Sequence, residues 1–194
     1  MHNGGVSEET LAGRLLVATP QLADPNFNRA VILLVQHRDE GAVGVVLNRP
    51  SEVTVSEVLP SWASMASGPP VVFRGGPVSP EGALCLARVA GEGDPLGWQG
   101  LETPGLESLG LVDLDAPPVM LAAQVANLRV FAGYAGWGAG QLEGEIGEGA
   151  WYLLPADPGD PFSEEPGQLW GTVLKRQGGQ LAMLATLPQD PTLN

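Results

Sequence analysis

Three apolar runs packed into a short stretch, Leu15–Ala18, Val31–Val35 and Val43–Leu47, limit what this chain can fold into more than any other feature. Each is too short for a long helix. Each is continuous rather than alternating, the pattern of strands covered on both faces. Asp24-Pro25-Asn26-Phe27 separates the first two runs. An Asx side chain can accept backbone N–H groups while proline starts a turn, so one helical turn is predicted there with Phe27 tucked inward. His37-Arg38-Asp39-Glu40-Gly41 separates the second run from the third. Asn48-Arg49-Pro50 ends the third, and the proline biases Arg49 towards extended geometry.

Further strands are predicted at Val71–Arg74, stopped by Gly75-Gly76-Pro77, then at Ala83–Val89, Val130–Tyr134 and Trp151–Leu154. Ala83–Val89 carries Ala83, Cys85, Ala87 and Val89 on one face, small enough for another element to approach closely. Short helices are predicted at Ser51–Leu59, Val119–Leu128 and Gln141–Glu148, and Gln168–Lys175 is an amphipathic stretch. Ser61–Pro70 is predicted as a loop, and Gly91–Pro118 as a long surface excursion with a short strand at Leu111–Leu114. Val130–Tyr134 runs into a glycine-rich stretch, Gly133 to Gly140, ahead of the Gln141 helix. Runs of strands with scattered helices give an α+β fold around a mixed, largely antiparallel sheet that can curl into a barrel. A chain of 194 residues fits one domain, residues 13–194, behind a polar tail, residues 1–12, expected to be disordered.

The charge is −13, and all but −1 of it lies after residue 50. Nucleic-acid affinity comes largely from Lys and Arg neutralising phosphates, and no basic stripe is present, so direct nucleic-acid contact is not expected. The single cysteine, Cys85, excludes an intrachain disulfide and a cysteine-based zinc site. No apolar run reaches the ~18 residues of a membrane span, and no signal segment is visible, so no membrane role and a cytoplasmic setting are expected.

Five segments, in order, resemble the YqgE/AlgH family of bacterial proteins of unknown function: Leu15–Val31, Leu33–Pro50, Gly75–Val78, Gly133–Ile146 and Ala150–Asp157. The resemblance implies an α+β fold whose branched sheet curls into a pseudo-barrel with flanking short helices, and a bacterial cytosolic setting. It implies no reaction. Some members are labelled putative transcriptional regulators. Two departures stand out. Members often carry a histidine in the strand after Gly75-Gly76-Pro77-Val78, where this chain reads Ala83-Leu84-Cys85-Leu86-Ala87-Arg88, and the tail beyond Phe162 diverges.

His37 is the one histidine besides His2. Beside Asp39 and Glu40 it falls short of the three or four convergent ligands a metal needs, and a strand-end histidine bonded to a nearby carboxylate is the plainer reading. Arg29, Arg49 and Arg74 stand beside turns at strand ends. They can converge on an anion through bidentate contacts, or pair with Asp24, Asp39 or Glu40 and pin the rim. Asn48 can orient a ligand or cap a strand end. The order strand, glycines, helix before Gln141 is that of a phosphate-binding loop. The residues fit neither GxGxxG nor GxxxxGK[ST], and Glu143 and Glu145 would repel phosphate, so glycines packed around Tyr134 and Trp137 are the plainer reading. Cys85 reads as buried and inert.

No GxSxG elbow or SxxK motif is present, and no catalytic residue, metal or cofactor is assigned. The residues favour a non-enzymatic binding or regulatory protein for a protein partner or small ligand. Its expected surface is a rim formed by Asp24, Phe27, Arg29, His37, Asn48, Arg49, Gly75, Gly76, Tyr134, Trp137, Gln141 and Glu143. Two alternatives stay open: an enzyme on a small anionic substrate with His37 as acid or base, and indirect transcriptional regulation through a protein partner.

Overall fold

The computed structural model describes residues 9–188. The first three apolar runs form an antiparallel meander, β1 (Arg14–Ala18), β2 (Val31–Arg38) and β3 (Gly41–Val46). Leu15 pairs with Leu33 and Ile32 with Val46, and β2 bulges between Leu34 and Gln36. The Asp24–Phe27 segment turns as expected: Asp24 Oδ1 accepts the Asn26 N–H at 2.9 Å, and Phe27 packs inward against Trp151. The first eight residues of the expected disordered tail lie outside the described ones. Residues 9–12 lead into β1, with Leu11 partly buried.

The remaining strands are β4 (Pro50–Thr54), β5 (Val71–Arg74), β6 (Val78–Val89), β7 (Trp98–Gly100), β8 (Leu109–Val112), β9 (Val125–Gly138) and β10 (Trp151–Pro155). The main path runs β10-β1-β2-β3-β9-β6-β8-β7, and β5 leaves it as a branch. Its pairing with β9 is parallel, Phe73 against Phe131, and β4 then pairs antiparallel with β5. All other pairs are antiparallel, so the sheet is mixed, largely antiparallel and curled into a half-barrel. The short helices are α1 (Val55–Val58), α2 (Val119–Ala122), α3 (Gln141–Gly147), α4 (Leu169–Gln177) and α5 (Gly179–Leu184).

The branch depends on one backbone crossing. The first part of β9 is flanked by β6 and β5, and its last part, Ala135–Gly138, by β3. Between them Gly133 takes a left-handed φ of 72°. A Cβ on Gly75 would sit 2.3 Å from the Gly133 carbonyl oxygen, and one on Gly133 would sit 2.4 Å from that of Gly76. No side chain fits there. The crossing is held by the Gly75 N–H donating to Ala132 and the Val46 N–H donating to Gly75, both at 2.8 Å.

Several local expectations are corrected. The glycine-rich stretch before Gln141 is strand as far as Gly138, because the glycines serve the crossing and the β3 pairing. Residues 51–59 begin as strand, and only Val55–Val58 is helical, since pairing with β5 captures the β-branched Val53-Thr54. The helix expected over 119–128 stops at Ala122, and Val125 already belongs to β9. Residues 60–65 form a 3₁₀ turn that buries Trp62. The 91–118 excursion contributes β7 and β8 to the sheet edge.

Three apolar clusters fill the molecule, and β9 supplies residues to each. Phe131 joins Leu15, Leu33, Phe73 and Trp170 beneath α4. Ala135 and Trp137 join Leu16, Ile32 and Trp151 beneath α3. Leu128 and Val130 join Cys85, Ala87, Trp62 and Trp98 on the small-residue face of β6. Burial pushes the Cys85 thiol up, so it stays protonated and inert.

On the Phe131 face, β9 also carries Arg129, only 1% exposed. Its guanidinium lies 4.2 Å over the Phe73 ring. It donates to the carbonyls of Pro161 and Ser163 at 3.1 and 2.9 Å, and to those of Ser67 and Gly68. Burial holds its pKa down to about 10, so it remains charged at neutral pH. Arg129 thus ties β9 to two distant segments through neutral acceptors. Replacing it with methionine leaves those carbonyls without donors, and a loss of about 3–5 kcal/mol in urea denaturation is expected. A loss below about 1 kcal/mol would show the contacts to be incidental.

Candidate functional site

The residues expected to form one rim fall into three neighbourhoods. His37 pairs across to Ala42 near the start of β3, whereas Asn48 and Arg49 follow its far end.

The first neighbourhood lies at α3. Trp137, 7% exposed, is a core residue. Its indole N–H and that of Trp151 both donate to Glu145 Oε2 at 2.9 Å, and the two rings meet edge to face at 6.3 Å. Gln141 accepts the Gly138 N–H at 3.0 Å and donates to Glu145, which fixes the start of α3 on the end of β9. His37 Nδ1 accepts the Leu11 N–H at 3.1 Å, so the ring proton sits on Nε2, which donates to Glu143 Oε1 at 2.6 Å. That hydrogen bond holds the Glu143 carboxyl below the ordinary carboxylate range. Both nitrogens of His37 are engaged. Among the described residues no three His, Cys, Asp or Glu side chains converge as a metal-binding group.

The second neighbourhood is the crossing. Gly75 and Gly76 lie against Gly133 and Tyr134 backbone to backbone, and the Tyr134 side chain packs against the first core cluster. Asp24 is exposed and serves its own turn, and Phe27 belongs to the core beneath α3.

The third neighbourhood is a polar cavity of about 310 Å³ between the turn before β2, the end of β3, and helices α4 and α5. Asn48 is buried, accepts the Val31 N–H at 3.0 Å and donates to the Arg29 carbonyl at 2.8 Å. These bonds lock Arg29 into its left-handed φ of 54°. The Arg29 guanidinium stacks 4.4 Å over Trp170 and donates to the Leu187 and Pro188 carbonyls at 2.9 and 2.6 Å. Arg49 donates to the Asn28 carbonyl, and burial lowers its pKa from the usual guanidinium value. Gly167 and Gln168, just before α4, complete the wall.

Among the described residues no acidic side chain lines this cavity. Among the described residues, neither arginine has a carboxylate partner, while Arg176 takes both Asp157 and Asp160. Of the three arginines singled out by sequence, Arg29 and Arg49 meet here, and Arg74 lines a different groove. The place of α4 in this wall and the role of Arg129 carry no local sequence signal, because their partners are remote along the chain.

The AlgH-like family model matches residues 15–182. A UPF0301 protein of Streptomyces avermitilis is 55% identical, covering 99% of this chain and 100% of the relative. One of Mycobacterium tuberculosis is 47% identical over 100% of this chain and 95% of its own. The crystal structure of a Corynebacterium diphtheriae protein superposes with a TM-score of 0.83 at 32% identity, covering 93% of each chain. The solution structure of the AlgH protein from Pseudomonas aeruginosa superposes with a TM-score of 0.67 at 30% identity, covering 97% of this chain and 98% of that one.

The His37–Glu143 bond makes stability depend on pH. Glu143 has a folded-state pKa below its unfolded value, so its contribution is present above the unfolded value and fades as pH falls through the folded one. Melting curves from pH 7 to pH 3 should show Glu143→Gln less stable than the parent at neutral pH and equal to it at the acid end. A gap that stays constant with pH would contradict this.

Proposed function

The chain belongs to the AlgH-like family, and on that footing we propose that it is a non-catalytic cytosolic binding protein whose ligand is a small anion held between Arg29 and Arg49. One observation carries the reading: two guanidinium groups face a cavity that no carboxylate among the described residues lines, in a chain of net charge −13. Partly buried positive charge gains most from a counter-ion, and arginine forks fit carboxylate or phosphate in a bidentate manner. The engaged nitrogens of His37 favour binding over acid–base chemistry.

The cavity also suggests how occupancy is reported. Arg29 donates to the carbonyls of Leu187 and Pro188, so an anion that takes its N–H groups competes with the segment following α5. Binding then alters the surface offered to a protein partner, which is the regulatory part of the proposal.

Calorimetric titration with inorganic phosphate and citrate tests it. At least one anion is expected to bind, and Arg49→Ala to weaken it about tenfold or more. Arg49→Lys should weaken it too, because an ammonium loses the fork. Binding unchanged in Arg49→Ala, or no binding of either anion, would overturn the assignment.

A further inference from the structure

One face of the branched sheet is left partly uncovered. Val53 of β4, Val72 and Arg74 of β5, Val130 and Ala132 of β9 and Ala83 of β6 share that face across four adjacent strands. They alternate with Phe73, Phe131 and Leu84, which face the cluster beneath α4. Further along, the same face is closed by Trp62 and Trp98. The cover stops short and leaves a groove of about 570 Å³, walled by Val58 and Leu59 at the end of α1 on one side and by Pro80–Gly82 on the other. Val53 and Val58 are 44% and 52% exposed along it. A space of this size, apolar with a few polar groups, is the usual form of a small-molecule site.

The polar groups narrow the choice. Arg74 is exposed, and among the described residues its guanidinium has no ion-pair or hydrogen-bond partner. Glu81 stands on the other lip and disfavours a second negative charge. The floor strands β5 and β9 are paired on both sides, so a ligand lying over them meets side chains rather than free ladder groups, which suits a hydrocarbon. We propose that this groove is a second site, separate from the Arg29–Arg49 cavity, for a medium-chain apolar monocarboxylate, with its hydrocarbon over Val53, Val72 and Ala132 and its carboxylate on Arg74.

Calorimetry on the full chain with octanoate, octylammonium and octanol tests this. Octanoate is expected to bind, with octanol weaker and octylammonium not detected. Arg74→Gln should weaken octanoate about tenfold or more. Ala83→Trp, filling the groove from its floor, and Val58→Glu, placing a negative charge on its wall, should abolish binding. All three positions are exposed, and thermal melts confirm that the variants fold. Arg49→Ala should leave octanoate affinity unchanged, which separates this site from the anion cavity. The proposal is overturned if octanoate does not bind, if Arg74→Gln binds it as well as the parent, or if Arg49→Ala weakens it equally. A concentration-dependent dimer that Ala83→Trp dissociates would overturn it too, by giving the groove to a second copy.

Discussion

The contact of Gly75 and Gly76 with Gly133 and Tyr134, backbone against backbone, is the constraint on which the rest of the structure depends. It lets β5 enter beside β9 just where β3 leaves it, so a single sheet divides without an unpaired gap. Any side chain at that point would force two main chains apart and break the bonds that Gly75 makes to both Val46 and Ala132. The branch in turn creates two recesses. One is the open face beside β4 and β5. The other lies beyond the end of β3, where the chain turns through Asn48 and Arg49 and α4 closes over it.

Charge is distributed to suit that plan. In an acidic chain, the arginines that shape the interior are held, among the described residues, by carbonyls and aromatic rings rather than by carboxylates. Arg129 binds four carbonyls and lies over Phe73; Arg29 binds two and lies over Trp170. Neutral acceptors take up the terminal N–H groups without cancelling the charge. Arg176 is the contrast: its bonds to Asp160 and Asp157 raise its pKa and fasten α4 to the turn after β10. A neutralised cation staples, whereas the arginines beside the cavity are the ones on which the proposed anion site rests.

Much of the scaffold was legible in the sequence. β1, β2 and β3 follow from apolar runs bounded by turn residues, because burial on both faces leaves a local signature. α3 follows from the spacing of Leu142 and Ile146. The glycines after Tyr134 carry no strand signal of their own, because glycine marks turns at short range, and their need for close approach arises only when β5 and β3 are in place. Arg129 could not be singled out, since its partners lie some thirty to sixty residues away. The candidate residues were legible as strand-end positions, but a rim is a statement about distance. His37 and Arg49 sit at opposite ends of β3, and sequence spacing alone does not reveal which end faces which neighbour.

β9 contributes a buried residue to every apolar cluster, from Leu128 through Phe131 to Trp137. Withdrawing this strand as a whole would open all three clusters together. The domain therefore has no natural seam along which to come apart in stages, and loosening of its centre is all-or-none. Only the segments off that strand, such as the chain after α5 that rests on Arg29, are free to lift while the framework stays closed.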